Sequence, residues 1–169
     1  MTDPGVEPPA GFRDFASARA TQLFRIALFM CDDWHEAEDL VQTTLAKVFV
    51  SWDRLREISS ADSYARKVML NAFLSQRRLK RSGELPTAHF RDLPAPGPDS
   101  DLRMTLLTAL RRLPPRTRAV VVLRYLEDHS IESVAALMGA TPAAVKSLNA
   151  RGLAQLRELL SADGDVLRS

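Results

Sequence analysis

The sequence predicts an all-α protein: two small helical domains joined by a Pro-rich linker. Three observations carry this. Apolar residues recur three and four positions apart through most of the chain, the spacing of one helix face. Between Gly83 and Ser100 that periodicity collapses around Pro86, Pro94, Pro96 and Pro98, as expected of a linker. From Ser130 to Leu160 the chain reads as a short helix, a glycine turn and a longer helix. The expected division is a loose tail over 1–11, a first domain over 12–82, a linker over 83–100, a second domain over 101–162 and a tail over 163–169.

At 169 residues with 46% hydrophobic content, the chain has enough apolar mass for a core, which argues against global disorder. Net charge is only +2, yet the isoelectric point is about 9.0. The basic residues are mostly arginine, suited to planar contacts with phosphate or carboxylate. Cys31 is the only cysteine, so no disulfide framework is expected and a reducing, cytoplasmic setting fits. It reads as a small packed side chain. No apolar run is long enough to insert in a membrane, and the first ten residues hold no signal-peptide core.

A first helix is expected from about Asp14 to Met30, with Phe15, Leu23, Ile26, Ala27 and Met30 inward. A second is expected from Trp34 to Ser51, capped by Asp32 or Asp33. Its first turns carry Asp32, Asp33, Glu36, Glu38 and Asp39, where the helix dipole favours acids. Ala37, Val41, Leu45, Val48 and Trp52 make its inner stripe, broadened by Leu40 and Phe49. His35 beside these acids does not read as a metal site, because the side chains fall on different faces with no second histidine near. They read as a solvated acidic helix start. A third helix from Ser60 or Ala61 to Lys80 turns Tyr64, Val68, Ala72 and Phe73 inward. It carries Arg66, Lys67, Arg77, Arg78, Lys80 and Arg81 with no acid after Asp62. Such a run is often a solvated face, and it also suits a nucleic-acid backbone.

In the second domain Leu102, Leu106, Leu110 and Leu113 define a helix ending at Pro114. Pro115 opens the next, with Ala119, Val122, Leu123 and Leu126 inward. Arg111, Arg112, Arg116, Arg118 and Arg124 surround the prolines and serve either phosphate or solubility. Ser130 caps a helix whose stripe is Ile131, Val134, Ala135 and Met138. Gly139 supplies the turn, Thr141 a second cap, and Pro142 the first position of the last helix. Val145, Leu153, Leu156 and Leu160 face inward, while Lys146, Ser147, Asn149, Arg151 and Gln155 supply polar groups. This is the helix-turn-helix pattern, whose second helix enters the major groove. An ordinary αα-hairpin is the plainer alternative. Gly152 costs about 1 kcal/mol relative to alanine inside a helix. It either permits a close approach or is simply tolerated.

The order of these segments resembles a known family. Ala37-Glu38-Asp39-Leu40-Val41-Gln42, followed by Leu45, Val48, Phe49 and Trp52, is similar to region 2 of bacterial sigma factors. Ser63-Tyr64-Ala65-Arg66 through Asn71 and Arg77-Arg78 resembles their promoter-melting helix. Leu113 to Glu127, the Ser130 helix and Val145-Lys146-Ser147 resemble region 4. Region 2, a linker and region 4 together resemble the extracytoplasmic-function, group IV, sigma factors of the sigma-70 family, with the likeness running from Phe12 to Leu160.

The resemblance implies a job: binding RNA polymerase core, bringing it to promoters and helping to open them. It places Asp39, Leu40 and Gln42 against the clamp helices of the largest polymerase subunit, with Leu40 as apolar anchor, and region 4 at the polymerase flap. It assigns Arg54, Arg66, Lys67, Asn71, Arg77 and Arg78 to the minus-ten element. The loop from Arg54 to Ser60 and Asn71 would hold extruded bases, and Arg66, Lys67, Arg77 and Arg78 would follow phosphates. It assigns Thr141, Lys146, Ser147, Asn149 and Arg151 to the minus-thirty-five element. The family usually has a basic residue where Leu148 stands and an apolar one where Asn149 stands, so this recognition helix departs from the pattern. An anti-sigma partner is expected; a cofactor is not. The competing reading is a stand-alone helix-turn-helix regulator, which leaves the acidic Trp34 helix unexplained. A partner-sequestered adaptor with no DNA role leaves the arginine-rich helix unexplained. No nucleophile–base pair, phosphate-binding glycine loop or metal cluster suggests an enzyme.

Overall fold

The computed structural model describes residues 7–55, 58–83 and 100–167. Among the described residues the chain forms seven α-helices and no strand. They are α1 (Phe12–Met30), α2 (Trp34–Ser51), α3 (Ile58–Arg81), α4 (Ser100–Arg111), α5 (Pro115–Tyr125), α6 (Ile131–Met138) and α7 (Pro142–Leu167), with a 3-10 turn over Trp52–Arg54 after α2. The expected linker, over 84–99, and residues 56 and 57 of the loop expected to hold bases lie outside the described residues.

Local chemistry sets the helix ends. Asp33 caps α2, its carboxylate accepting from the Glu36 N–H at 2.8 Å, while Glu36 reaches back to the Asp32 N–H at 3.0 Å. The first bond satisfies an orphan donor of the first turn, and the second ties down the N–H just before the cap. Ser130 caps α6 by accepting from the Ser133 N–H at 3.0 Å. Gly139 ends α6 in the left-handed region (φ 61°), where its N–H and that of Ala140 close onto the Ala136 and Ala135 carbonyls. Thr141 then caps α7 through the Ala144 N–H at 3.1 Å.

The two tails are shorter than expected. Trp52 Nε1 donates to the Ala10 carbonyl at 2.9 Å, and the Phe12 N–H reaches the Pro9 carbonyl at 3.1 Å. Residues 9–11 are therefore tied down, against a cluster of Phe12, Phe15, Phe49 and Trp52 with ring centroids 5.1–5.6 Å apart. At the other end α7 continues through Leu167, past the limit expected at 162, because no proline or cap stops it there.

Helices α1 and α3 pack on α2, while α5, α6 and α4 pack on α7. The two groups also meet: α1 touches α4 and α5, and α3 touches α5 and α6. Phe29, Met30 and Cys31 at the end of α1 join one continuous core with Leu107, Leu110, Leu113 and Val122. Burial pushes the Cys31 thiol up to about 12, so it stays protonated as a packed apolar group.

Candidate nucleic-acid interface

Helix α7 presents a clean outer face. Val145 and Leu156 are buried, while Lys146, Ser147, Ala150, Arg151 and Ala154 are exposed at helical spacing. Arg151 Nη2 lies 3.2 Å from Ser147 Oγ, which steadies the guanidinium on that face. The facing is set by Gly152, which is buried against α5. A Cβ there would lie 2.7 Å from Val121 Cγ2 and 2.9 Å from Thr117 Cγ2. The glycine therefore permits a close helix–helix approach.

Asn149 is not on the outer face. It is half-buried, and its Nδ2 donates to the Tyr125 hydroxyl at 3.1 Å, tying α7 to α5. The expectation that it reads the minus-thirty-five element is corrected on that ground. Leu148 packs against the core at the edge of the cleft toward α3. Its place, like that of Asn149, is explained by packing. Thr141 is exposed but spends its hydroxyl on the helix cap.

On α3, Ala61, Ala65, Val68, Met69 and Phe73 face inward, and Lys67, Asn71 and Arg78 are exposed. Arg54 is exposed on the 3-10 turn, within 3.2 Å of Ser51 Oγ. Arg66 and Arg77 are not free to follow phosphates in this arrangement. Arg66 Nε pairs with Glu127 Oε2 at 3.1 Å. Arg77 pairs with Asp32 and, at 2.7 Å, with Glu36, while Lys80 also pairs with Glu36. Asn71 and Arg78 line a cleft of about 660 Å³ whose opposite wall includes Arg116, Leu148 and Arg151.

On α2 the outer stripe is Asp39, Gln42, Thr43, Ala46, Lys47 and Val50, with Val50 83% exposed. Leu40 is 0% exposed and belongs to the core with Ala37 and Val48. Its expected role as an external apolar anchor is therefore corrected. A side chain with no accessible surface cannot meet a partner while its own helix stays packed.

The acidic start of α2 is also more than a solvated patch. Asp32 sits between Arg77 and Arg118. Burial pushes its carboxyl up, but the Arg77 hydrogen bond and the charges of Arg77, Arg118 and Lys80 outweigh that and hold it below the usual range. Arg118 is 3% exposed. Its guanidinium donates to the carbonyls of Met30 at 2.6 Å, Arg111 at 2.9 Å and Leu113 at 3.1 Å, and reaches Asp32 at 3.4 Å. Desolvation lowers its pKa, with Asp32 acting in the opposite sense. Sequence reasoning passed over Arg118 as one of several arginines near the prolines. Its periodicity beside Leu113 and Val122 is the one signal that it points inward.

Comparison with known proteins agrees with this architecture. The sigma-70 region 2 family matches residues 15–82 and the sigma-70 region 4 family matches residues 103–156. The RNA polymerase sigma-E factor of Streptomyces coelicolor is 36% identical over 154 residues, covering 89% of this chain and 86% of that protein. The ECF RNA polymerase sigma factor SigM of Mycobacterium tuberculosis is 30% identical, covering 82% and 71% respectively. Among solved structures, the sigma factor RpoE of Bartonella quintana, in complex with the anti-sigma factor NepR, superposes with a TM-score of 0.73 at 27% identity, covering 90% of this chain and 98% of that one. The chain thus belongs to the extracytoplasmic-function sigma factors of the sigma-70 family, and it directs RNA polymerase to promoters.

Proposed function

We propose that the chain works as a group IV, non-catalytic initiation factor built as two modules, 12–82 and 101–162. The first module docks core polymerase and holds the minus-ten element; the second reads the minus-thirty-five element. Support for the dock comes from the outer stripe of α2, which stays open to solvent. Asp39 and Gln42 supply charge and hydrogen bonding there, and Val50, with Ala46, supplies the apolar contact. A helical partner such as the largest subunit's clamp helices fits a stripe of this shape. Exposed polar groups on α7 leave Arg151 as the base reader and Lys146 as a phosphate contact, with Ser147 beside them. An anti-sigma partner is proposed by likeness to RpoE, solved with NepR. No helix among the described residues is long and apolar enough to cross a membrane, in keeping with action in the cytoplasm.

The observation that carries promoter opening is the exposed amide of Asn71 on a helix whose apolar side is fully packed. An amide can both donate to and accept from the Watson–Crick edge of an extruded base. Run-off transcription and permanganate footprinting with core polymerase test it. Asn71→Ala is expected to bind core normally and to give fewer open complexes on duplex promoters. Equal open-complex yield for variant and wild type would remove the role.

A further inference from the structure

We propose that the cleft bordered by α3, α5 and α7 binds a nucleoside polyphosphate, with arginines from all three helices on the phosphate chain and an apolar side for the base. The cleft, of about 660 Å³, runs along the seam where α3 meets α5 and α6. That size suits a ligand of nucleotide dimensions. Its described lining holds five arginines and no carboxylate. Arg77 is already neutralised by Asp32 and Glu36. Arg78 and Arg81 of α3, Arg116 of α5 and Arg151 of α7 are exposed and have no acidic partner among the described residues. Like charges gathered around one concavity repel, and the low-dielectric walls focus their field into it. A bound anion relieves that repulsion. Guanidinium forks pair with phosphate oxygens two at a time. A single phosphate cannot meet cations on three helices, whereas a chain of phosphates can.

The remaining lining supplies the other half of the ligand's chemistry. Leu74 of α3, Met138 of α6 and Leu148 of α7 are half-buried and border the cleft with Pro114 and Pro115. They offer an apolar surface to the flat face of a base. Asn71 and Ser75 add hydrogen-bonding groups on the α3 wall, and an amide can both donate to and accept from a base edge. The first turn of α5 borders the same cleft with no side-chain cap and no acid, so its dipole adds to the field of the arginines. Arg78 and Arg151 are also the groups assigned above to the two promoter elements. A ligand that holds both withholds them from DNA. This promoter consequence rests on the function proposed above; the binding site does not. Arg81 and Arg116 carry no promoter assignment, so the two can be tested apart.

Isothermal titration calorimetry of the full chain tests the site, with ATP, inorganic tripolyphosphate and adenosine as probes. ATP is expected to bind one to one. Tripolyphosphate, which lacks the base, should bind about tenfold more weakly, and adenosine should give no binding heat. Arg81→Glu and Arg116→Glu should keep the wild-type melting temperature and each weaken ATP about tenfold. Arg13→Glu makes the same charge change at an exposed arginine of α1 outside the cleft, and it should leave ATP binding unchanged. No ATP binding by the wild type overturns the site. Equal weakening by Arg13→Glu overturns it too, since net charge alone would then be at work. Tripolyphosphate binding as tightly as ATP overturns the assignment to a nucleoside. At about ten times its Kd, ATP should weaken the free chain's binding to forked promoter DNA about tenfold, and only about twofold in Arg116→Glu at the same concentration. Unchanged DNA binding in the wild type overturns the promoter consequence. Failure of wild-type run-off transcription with the ATP site intact would instead overturn the functional reading.

Discussion

Gly152→Ala adds one methyl group to the close contact between α5 and α7. The added Cβ would stand 2.7 Å from Val121 Cγ2 and 2.9 Å from Thr117 Cγ2, against a comfortable carbon–carbon separation of about 3.5–4.0 Å. Both neighbours are buried and β-branched on a helix, so neither can rotate away cheaply. The strain falls on the α5–α7 separation, which has to open by up to about 1 Å. Overpacking of this kind costs about 1–3 kcal/mol, and the better helix propensity of alanine returns about 1 kcal/mol. The expected net is a loss of about 1 kcal/mol in urea unfolding, with weaker minus-thirty-five recognition as α7 shifts. In a Val121→Ala, Thr117→Ser background, which removes both Cγ2 groups, the clash is gone, and Gly152→Ala should become neutral or stabilising. Stabilisation by about 1 kcal/mol in the wild-type background would match propensity alone and refute the close-approach argument.

Other outcomes follow from the same geometry. Leu40→Asp should unfold the N-terminal half at a cost of about 4 kcal/mol or more, since it places a carboxylate in the core. Val50→Asp should keep the melting temperature and lose co-purification with core polymerase; normal co-purification would remove the dock from that face. Arg151→Ala should cost about 1–3 kcal/mol in promoter binding and relax preference at one or two upstream positions. Lys146→Ala should weaken all promoters alike and lower the salt slope by about one unit. The reverse pattern would mean that the facing of α7 is wrong. Asp32, held below the usual carboxylate range by Arg77, Arg118 and Lys80 against burial, contributes stability that is fully present above its unfolded pKa of about 3.9. That contribution is lost as pH falls through the folded value. Thermal melts of wild type and Asp32→Asn should therefore differ most near neutrality and converge in acid.

What could be read in advance was what neighbours in sequence decide. Asp33, Ser130, Gly139, Thr141 and Pro142 act within a turn of themselves, so their capping roles were legible without any tertiary knowledge. Leu40 is more instructive. Its spacing from Ala37 and Val41 places it on the inner stripe, and the family likeness places it outside; the periodicity was the better guide. Asn149 follows the same rule, four residues after Val145 and so on the inner flank of α7. The pairing of Arg118 with Met30 and of Glu127 with Arg66 was not legible, because partners 88 and 61 residues apart leave no local signal.

Arg118 bears on how the molecule comes apart. It completes the end of α1 from a helix on the far side of the linker, so the final turn of one half is finished by a cation of the other. Phe29 likewise lines an apolar groove with that other half's Leu110, Val122 and Leu126. Thermal denaturation of the chain should accordingly appear as one calorimetric transition, with the heat of both halves under a single peak. Once the halves part, each loses its neighbour's contribution and melts on its own. The count of transitions then becomes a thermodynamic reporter of whether the seam is made.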